Sequence, residues 1–151
     1  MSISHSGFGF TGSESIKLPA RRENFSELKE WLSSISDSLE LPVKMRKQLL
    51  IVSDEIFTNI SSYGYPLGEG TVEAEVAFDE KILEFSITFS DEGIPYNPLE
   101  TPDPDIHTPL AERAEGGLGV FIVKKLMDTV DYRRDCGKNI LVMKKKLPKT
   151  D

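Results

Sequence analysis

The chain has 151 residues, of which 38% are hydrophobic, and a formal net charge of −7; this length fits one domain with its own core, and the acidic balance argues against a general nucleic-acid surface, which needs a basic footprint. Its single cysteine, Cys136, excludes an internal disulfide and a cysteine-built metal cluster. No apolar run reaches the ~20 residues of a membrane-spanning helix and no secretion signal opens the chain, so we expect a cytoplasmic protein that contacts neither membrane nor nucleic acid directly.

The N-terminal part combines a Ser- and Gly-rich segment with a short strand. We expect residues 1–14 to be a mobile segment and residues 15–148 to form a single domain, because no linker or internal repeat divides the rest. A strand is predicted over Ser15–Ala20, where Pro19 marks its end.

Two amphipathic helices are predicted next. The first starts near Asn24, a suitable N-cap residue with Glu27 three positions on, and its apolar residues recur at steps of three and four. The second has Pro42 in its first turn and runs to about Ser62. Its predicted buried face consists of Leu49, Ile56, Phe57 and Ile60.

A hairpin and a long loop follow the second helix. Apolar residues at every second position predict antiparallel strands near 72–78 and 83–89, joined by a turn. The segment 91–115 holds five prolines and few hydrophobic residues, which is typical of a functional lid or a binding loop.

The C-terminal part is predicted to form a third helix and a second hairpin. The helix runs from Val120 to about Asp128, and the strands of the closing hairpin lie near 130–134 and 139–147. This order predicts an α+β fold, a two-layer sandwich with helices on one face of a mostly antiparallel mixed sheet.

Two polar residues of the second helix could do chemistry. Glu55 and Asn59 lie four positions apart and therefore project from one side of the helix, beside its apolar face. A carboxylate can take a proton from a hydroxyl or a water, and a carboxamide oxygen is a ligand suited to magnesium. The alternative is an ordinary polar edge on an amphipathic helix.

A second candidate site follows the first hairpin. Asp91 stands at a strand end with Gly93 two residues later, which places a carboxylate beside backbone that a flat ring can approach closely. Asp91 could accept a hydrogen bond from an exocyclic amine such as that of adenine. The alternative is a solvated Asp-Glu-Gly turn.

The third candidate is the run Gly116-Gly-Leu-Gly119 at a helix N-terminus. Free amides and the positive end of the helix dipole favour phosphate there, and the alternative is a flexible hinge before a core helix. The run is not a Walker loop, because no Gly-Lys-Ser/Thr follows, and no parallel βαβ unit surrounds it as in a Rossmann turn.

These segments in this order resemble the GHKL ATPase family, which includes gyrase, Hsp90, histidine kinases and MutL, and in detail its bacterial anti-sigma factor and serine kinase branch. The similarity covers roughly residues 15–147 and implies the Bergerat-type ATP-binding fold. It is carried by Asp54-Glu-Ile-Phe-Thr-Asn59 with Tyr63-Gly-Tyr65, by Asp91-Glu-Gly-Ile-Pro-Tyr-Asn-Pro98 and by Glu115-Gly-Gly-Leu-Gly-Val-Phe-Ile-Val123, with support from 130–134 and 139–141.

The resemblance implies ATP and Mg²⁺ as cofactors. Asn59 would hold the magnesium ion, and Asp91 would bind the adenine amino group beside Gly93, which leaves room for the ring. The remaining implied nucleotide-binding residues are Ile94, Gly116, Gly117, Leu118 and Gly119, of which the last four would line the triphosphate with their amides.

The resemblance also implies the catalytic groups. Glu55 would be the general base that activates a serine hydroxyl of a small anti-sigma-factor antagonist. The loop 99–115 would be the lid, and Arg113, its only basic residue, is the candidate for contacting the terminal phosphate; the alternative is a solvated surface arginine.

Three functions remain open on these residues. The favoured one is an ATP-dependent serine-protein kinase that also binds a regulatory partner, and the second is a binding module that sequesters a sigma factor or another regulator with nucleotide as a structural switch. The third is a detached ATPase or histidine-kinase module, which lacks support because neither His5 nor His107 is predicted on a helix. The uncovered sheet face or the first helix could serve a homodimer.

Overall fold

The computed structural model describes residues 3–4, 12–104, 107 and 117–148. Within this part of the chain, three α-helices accompany one six-stranded sheet. The elements are β1 (Ile3–Ser4), β2 (Gly12–Pro19), α1 (Phe25–Ser38), α2 (Val43–Asn59), β3 (Thr71–Asp79), β4 (Glu84–Asp91), α3 (Gly117–Leu126), β5 (Thr129–Asp135) and β6 (Lys138–Lys146).

The sheet has the strand order β1-β2-β3-β4-β6-β5, and each of these neighbouring pairs is antiparallel. Alternate residues of β3 and β4 point into the core, where Val76 and Ile87 are fully buried. The three helices contribute to the same core cluster, and the outward-facing positions of the strands are more exposed. The predicted two-layer α+β fold is therefore confirmed, with antiparallel pairing throughout the described part of a sheet that was expected to be mixed.

The N-terminal boundary of the sheet differs from the prediction. β2 begins at Gly12 rather than Ser15, and Ile3–Ser4 pairs with its residues Ser15 and Ile16. Both described stretches of the segment expected to be mobile are thus strands. Ladder hydrogen bonds form through the backbone, so a stretch rich in Ser and Gly can join a sheet even though its side chains predict little.

The first helix has the predicted apolar stripe but a different start. A 3₁₀ turn over Arg22–Asn24 precedes it, so Asn24 has nearly helical backbone angles (φ −81°, ψ −2°) and its side chain makes no capping bond to the backbone. Instead, its Nδ2 donates to Oε1 of Glu27 at 2.9 Å. The predicted residue pair is correct, and the predicted capping geometry is wrong.

The second helix does not stop at the predicted Ser62. Beyond Asn59 it continues as a π-helical turn, Ile60–Gly64. Such wide turns are rare and occur frequently at functional sites. Here the turn brings the Gly64 carbonyl to the segment after β4, where it accepts a hydrogen bond from the Ile94 amide at 2.9 Å.

The third helix begins earlier than predicted, at Gly117 rather than Val120. Two of the predicted phosphate-binding glycines, Gly117 and Gly119, therefore lie in its first turn. The closing hairpin is confirmed, and Cys136 and Gly137 form its turn with φ of 50° and 77°. A search of the helices in the described ranges finds none with the length and hydrophobicity needed to cross a membrane.

Candidate functional site

A pocket opens between α2, the π-helical turn and the adjoining parts of β4, β5 and β6. Its apolar lining includes Ile56, Ile60, Phe89 and Leu141, and its polar lining includes Asn59, Asp91 and Asn139. Ile94 and Tyr96 lie at its rim, 50% and 43% exposed. Three of the predicted site residues, Asn59, Asp91 and Ile94, thus line one pocket although 35 positions separate the first from the last.

Asp91 ends β4 and is only 6% exposed. Its Oδ1 accepts hydrogen bonds from the Gly93 amide at 2.9 Å and from Nδ2 of Asn139 at 3.0 Å. Both bonds that the described residues give this carboxylate fall on the same oxygen. Within the described residues, the other oxygen, Oδ2, retains its capacity to accept a hydrogen bond.

Gly93 packs closely against the π-helical turn, and the room that it leaves for a ring stays a prediction. A Cβ at this position would overlap the carbonyl of Gly64, so only glycine lets these two backbone segments approach. Arg134 donates from Nη1 to the Gly93 carbonyl at 2.8 Å and supports the turn from the side. Gly93 lines a shallower neighbouring pocket with Arg134 rather than the pocket that holds Asn59.

Asn139 is the site residue that sequence reasoning missed. It is 7% exposed, and its carboxamide is fully used. Nδ2 donates to Asp91 Oδ1 and to the Ile94 carbonyl at 2.8 Å, while Oδ1 accepts from the Tyr96 amide at 3.1 Å and from the Tyr132 hydroxyl at 2.5 Å. One buried side chain therefore joins β5, β6, the end of β4 and the turn after it. One feature of the sequence could have pointed to Asn139. It occupies a position in β6 where the alternation of inward and outward residues predicts an apolar side chain, and Leu141 and Met143 follow on the same face.

Glu55 is half-buried on α2, one helical turn before Asn59. Burial, and secondarily the negative charge of Asp54, raises the pKa of the Glu55 carboxyl above its ordinary value. Its carboxylate lies against the Cα of Gly119 in the first turn of α3, since a Cβ there would overlap Oε1, Oε2 and Cδ of Glu55. The base candidate and the glycine run thus meet directly.

The outcome for the predicted site is uneven. Asn59, Asp91 and Ile94 share a pocket, and Glu55 contacts Gly119 one turn along α2 from Asn59. Leu118 is 40% exposed in the first turn of α3. The predictions for Gly116 and Arg113, and most of the predicted lid 99–115, lie outside the described residues.

A metal site built from protein ligands alone is absent from the described ranges, where no three His, Cys, Asp or Glu residues are grouped suitably. Asn59 can supply one neutral oxygen, the kind of ligand that magnesium accepts when phosphates and waters complete its shell. The residues present therefore fit a Mg²⁺ ion that binds together with a phosphate ligand better than a Mg²⁺ ion bound by the protein alone.

Comparisons with known proteins find a matching family and several relatives. Residues 18–145 match the family model of the histidine kinase-like ATPase domain. The serine-protein kinase RsbW of Bacillus mycoides (strain KBAB4) is 23% identical over 133 residues, which cover 85% of this chain and 82% of that protein. The protein of the same name from Bacillus cereus (strain AH820) is 23% identical over 131 residues, with the same shares covered.

A solved structure has the same fold. The crystal structure of the RsbU and RsbW domains of Rv1364c from Mycobacterium tuberculosis superposes with a TM-score of 0.61 at 14% identity. The superposition covers 93% of this chain and 34% of that one, so this chain corresponds to about a third of that polypeptide.

Proposed function

The chain belongs to the histidine kinase-like ATPase domain family, and from this premise we propose that it is an ATP-dependent serine-protein kinase that phosphorylates a small regulatory antagonist protein. Family membership implies ATP binding. The names of the Bacillus relatives support the choice of a serine-protein kinase within the family. A sigma factor is the second partner that this proposal includes.

The observation that carries the proposal is the contact between Glu55 and Gly119 beside the pocket that contains Asn59 and Asp91. It brings a carboxylate with a raised pKa to the first turn of a helix, where free amides favour phosphate. A base and an anion-binding helix end at one place suit the transfer of a phosphoryl group better than simple storage of a nucleotide.

The nucleotide would be bound by groups with complementary chemistry. Asp91 offers Oδ2 to the amino group of adenine, and the apolar pocket wall with Ile94 and Tyr96 at its rim would cover the ring. The amides of the first turn of α3 would bind phosphate oxygens, and Asn59 would ligate Mg²⁺. Bound ATP supplies the phosphoryl group.

Glu55 would act on the other reactant. It would take the proton from the serine hydroxyl of the substrate protein as that oxygen attacks the γ-phosphorus of ATP. The bond from the γ-phosphorus to the β,γ-bridging oxygen would break and ADP would leave, while the proton would reside on a Glu55 carboxylate oxygen. A raised pKa makes Glu55 a stronger base than a solvated glutamate. It also brings the pKa closer to the working pH, which is where a general base is most effective.

The test begins with a pull-down in the presence of ATP and Mg²⁺, followed by mass spectrometry for phosphoserine on the captured protein. Radiolabelled ATP then measures transfer to that protein. We expect Glu55→Ala to lower the transfer rate by about 100-fold or more. The ATP affinity of this variant should be largely kept. Glu30→Ala, an exposed glutamate on α1, is the matched control and should transfer normally.

Two results would count against the kinase proposal. Transfer that survives undiminished in Glu55→Ala would remove Glu55 from the role of base. Capture of a partner and binding of ATP without any label transfer would instead support a regulatory binding module with nucleotide as a structural switch.

A further inference from the structure

Glu55 occupies the space that a side chain at position 119 would need. Helices α2 and α3 pack against each other, and an ideal Cβ on Gly119 would overlap three atoms of the Glu55 carboxyl group. Among the described glycines this is the closest approach, and the next closest is that of the Tyr65 ring to a Cβ on Gly70.

The kind of neighbour distinguishes Gly119 from the other close-packed glycines. A methyl group on Gly93 would meet the backbone of Gly64, which cannot move without disturbing the turn. The three atoms nearest to a methyl group on Gly119 all belong to the end of the flexible Glu55 side chain, so the closest overlap is relieved if Glu55 moves away. The glycine is therefore needed for the position of the carboxylate rather than for the path of the chain.

Within the described ranges, packing is the contact that restricts the carboxylate. Across the described residues, Glu55 makes no hydrogen bond and no ion pair, and the neighbouring charge is the repulsive one of Asp54. A long side chain without polar partners populates several rotamers unless its surroundings restrict them. The surface offered by the Cα of Gly119 is such a restriction.

We propose that Gly119 is a positioning residue for Glu55: its missing side chain leaves the space in which the first turn of α3 holds the carboxylate where it meets the substrate hydroxyl. This inference rests on the proposed function of Glu55 as the base. This positioning role of Gly119 is separate from the expected binding of phosphate by the glycine run. It makes the position of the Glu55 carboxylate depend on the position of α3.

Gly119→Ala tests the inference. We expect it to fold and to lose far less ATP affinity, measured by calorimetry, than transfer rate, because alanine keeps the backbone amide of residue 119 and its methyl group first meets a side-chain end. The phosphotransfer rate should fall about 100-fold, since misplacing a catalytic group by about 1 Å can cost this much. Gly68→Ala is the matched control, because a Cβ at Gly68 would meet nothing within 4 Å, and its transfer rate should be unchanged.

Shortening the carboxylate gives a second, independent readout. In a Glu55→Asp background the carboxyl group is withdrawn by one methylene, so adding Gly119→Ala should lower the transfer rate by less than about 3-fold further. A 100-fold loss in both backgrounds would overturn the inference, because the alanine would then act without reference to Glu55.

The carboxyl group can also be followed directly by ¹³C NMR titration, which needs no transfer activity. Gly119→Ala should shift the pKa of Glu55 down towards its ordinary value, because the displaced side chain becomes more solvated. An unchanged Glu55 titration, or a loss of ATP affinity as large as the loss of transfer, would overturn the inference. If the wild type shows no transfer at all, the proposed function fails, and the NMR titration still decides whether Gly119 holds the carboxylate.

Discussion

Asn139 on β6 lies directly opposite Asp91 on β4, and its Nδ2 donates a hydrogen bond to Asp91 Oδ1 at 3.0 Å. Together with the Gly93 amide this bond occupies one oxygen of a carboxylate that lines the pocket. The carboxamide has no group left for a ligand, because its two donors and its carbonyl oxygen all have partners. In the proposed nucleotide site, Asn139 would therefore orient Asp91 rather than bind the ligand itself.

Asn139→Ala should weaken both the fold and the nucleotide site. The change removes four hydrogen bonds and leaves buried partners such as Asp91 Oδ1 and the Ile94 carbonyl with fewer bonds. We expect a loss of about 2–3 kcal/mol in the free energy of unfolding and about 10-fold in ATP affinity. Urea unfolding and calorimetry measure the two effects, and Asn24→Ala, in the 3₁₀ turn before α1, serves as the control for a half-buried amide lost away from the pocket. Unchanged ATP affinity would show that Asp91 needs no support from β6.

Asp91→Asn should separate ligand recognition from stability. The Oδ1 acceptor of an asparagine still serves the Gly93 amide and Asn139, so the fold should be retained. The group facing the pocket changes from an acceptor to a donor, which opposes the amino group of adenine. We expect ATP affinity to fall 10- to 100-fold, which is about 1–3 kcal/mol, and the ratio of GTP to ATP affinity to rise, because a donor suits the guanine O6. Equal losses for both nucleotides would contradict the assigned role of Asp91.

Much of this site is readable from residue types, and the rest depends on contacts that the chain makes over long distances. Asp91 and Asn59 stand out because each has a definite ligand chemistry beside a predicted element. Asn139 does not, because its role arises from the register between β4 and β6, which pairs residues 48 positions apart. No local pattern specifies that register.

The start of α3 shows the same limit. Glycine has a poor helix propensity, so the sequence predicts that the helix begins after the glycine run, at Val120. The structure has Gly117 and Gly119 inside the first turn, because packing against α2 compensates for the propensity and requires a position without a side chain. The alternation of β3 and β4, by contrast, is a local pattern, and their pairing is confirmed.

The raised pKa of Glu55 predicts opposite effects on activity and stability. Transfer should fall as the pH drops through the raised pKa of Glu55, because Glu55 must be ionised to act as a base. Because its pKa is raised, the Glu55 carboxyl group binds its proton more tightly in the folded state than in the unfolded state. Ionised Glu55 therefore destabilises the fold at a pH above this raised pKa, and the destabilisation disappears at a pH below the ordinary pKa of a glutamate. Glu55→Gln should therefore be inactive yet unfold at a higher temperature than the wild type at pH 7, with the difference vanishing near pH 4. Equal melting temperatures at pH 7 would contradict the raised pKa.

Gly93→Ala should differ from Gly119→Ala in its effect on stability. A Cβ on Gly93 overlaps the Gly64 carbonyl, which accepts a hydrogen bond from the Ile94 amide at 2.9 Å, so the substitution must separate the π-helical turn from the segment after β4. We expect a loss of about 2 kcal/mol or more in the free energy of unfolding, together with weaker ATP binding, because both segments line the pocket. Urea unfolding of both variants, with Gly68→Ala as the common control, measures the contrast. If Gly93→Ala were as stable as Gly68→Ala, the close approach of these two backbone segments would not be needed for the fold.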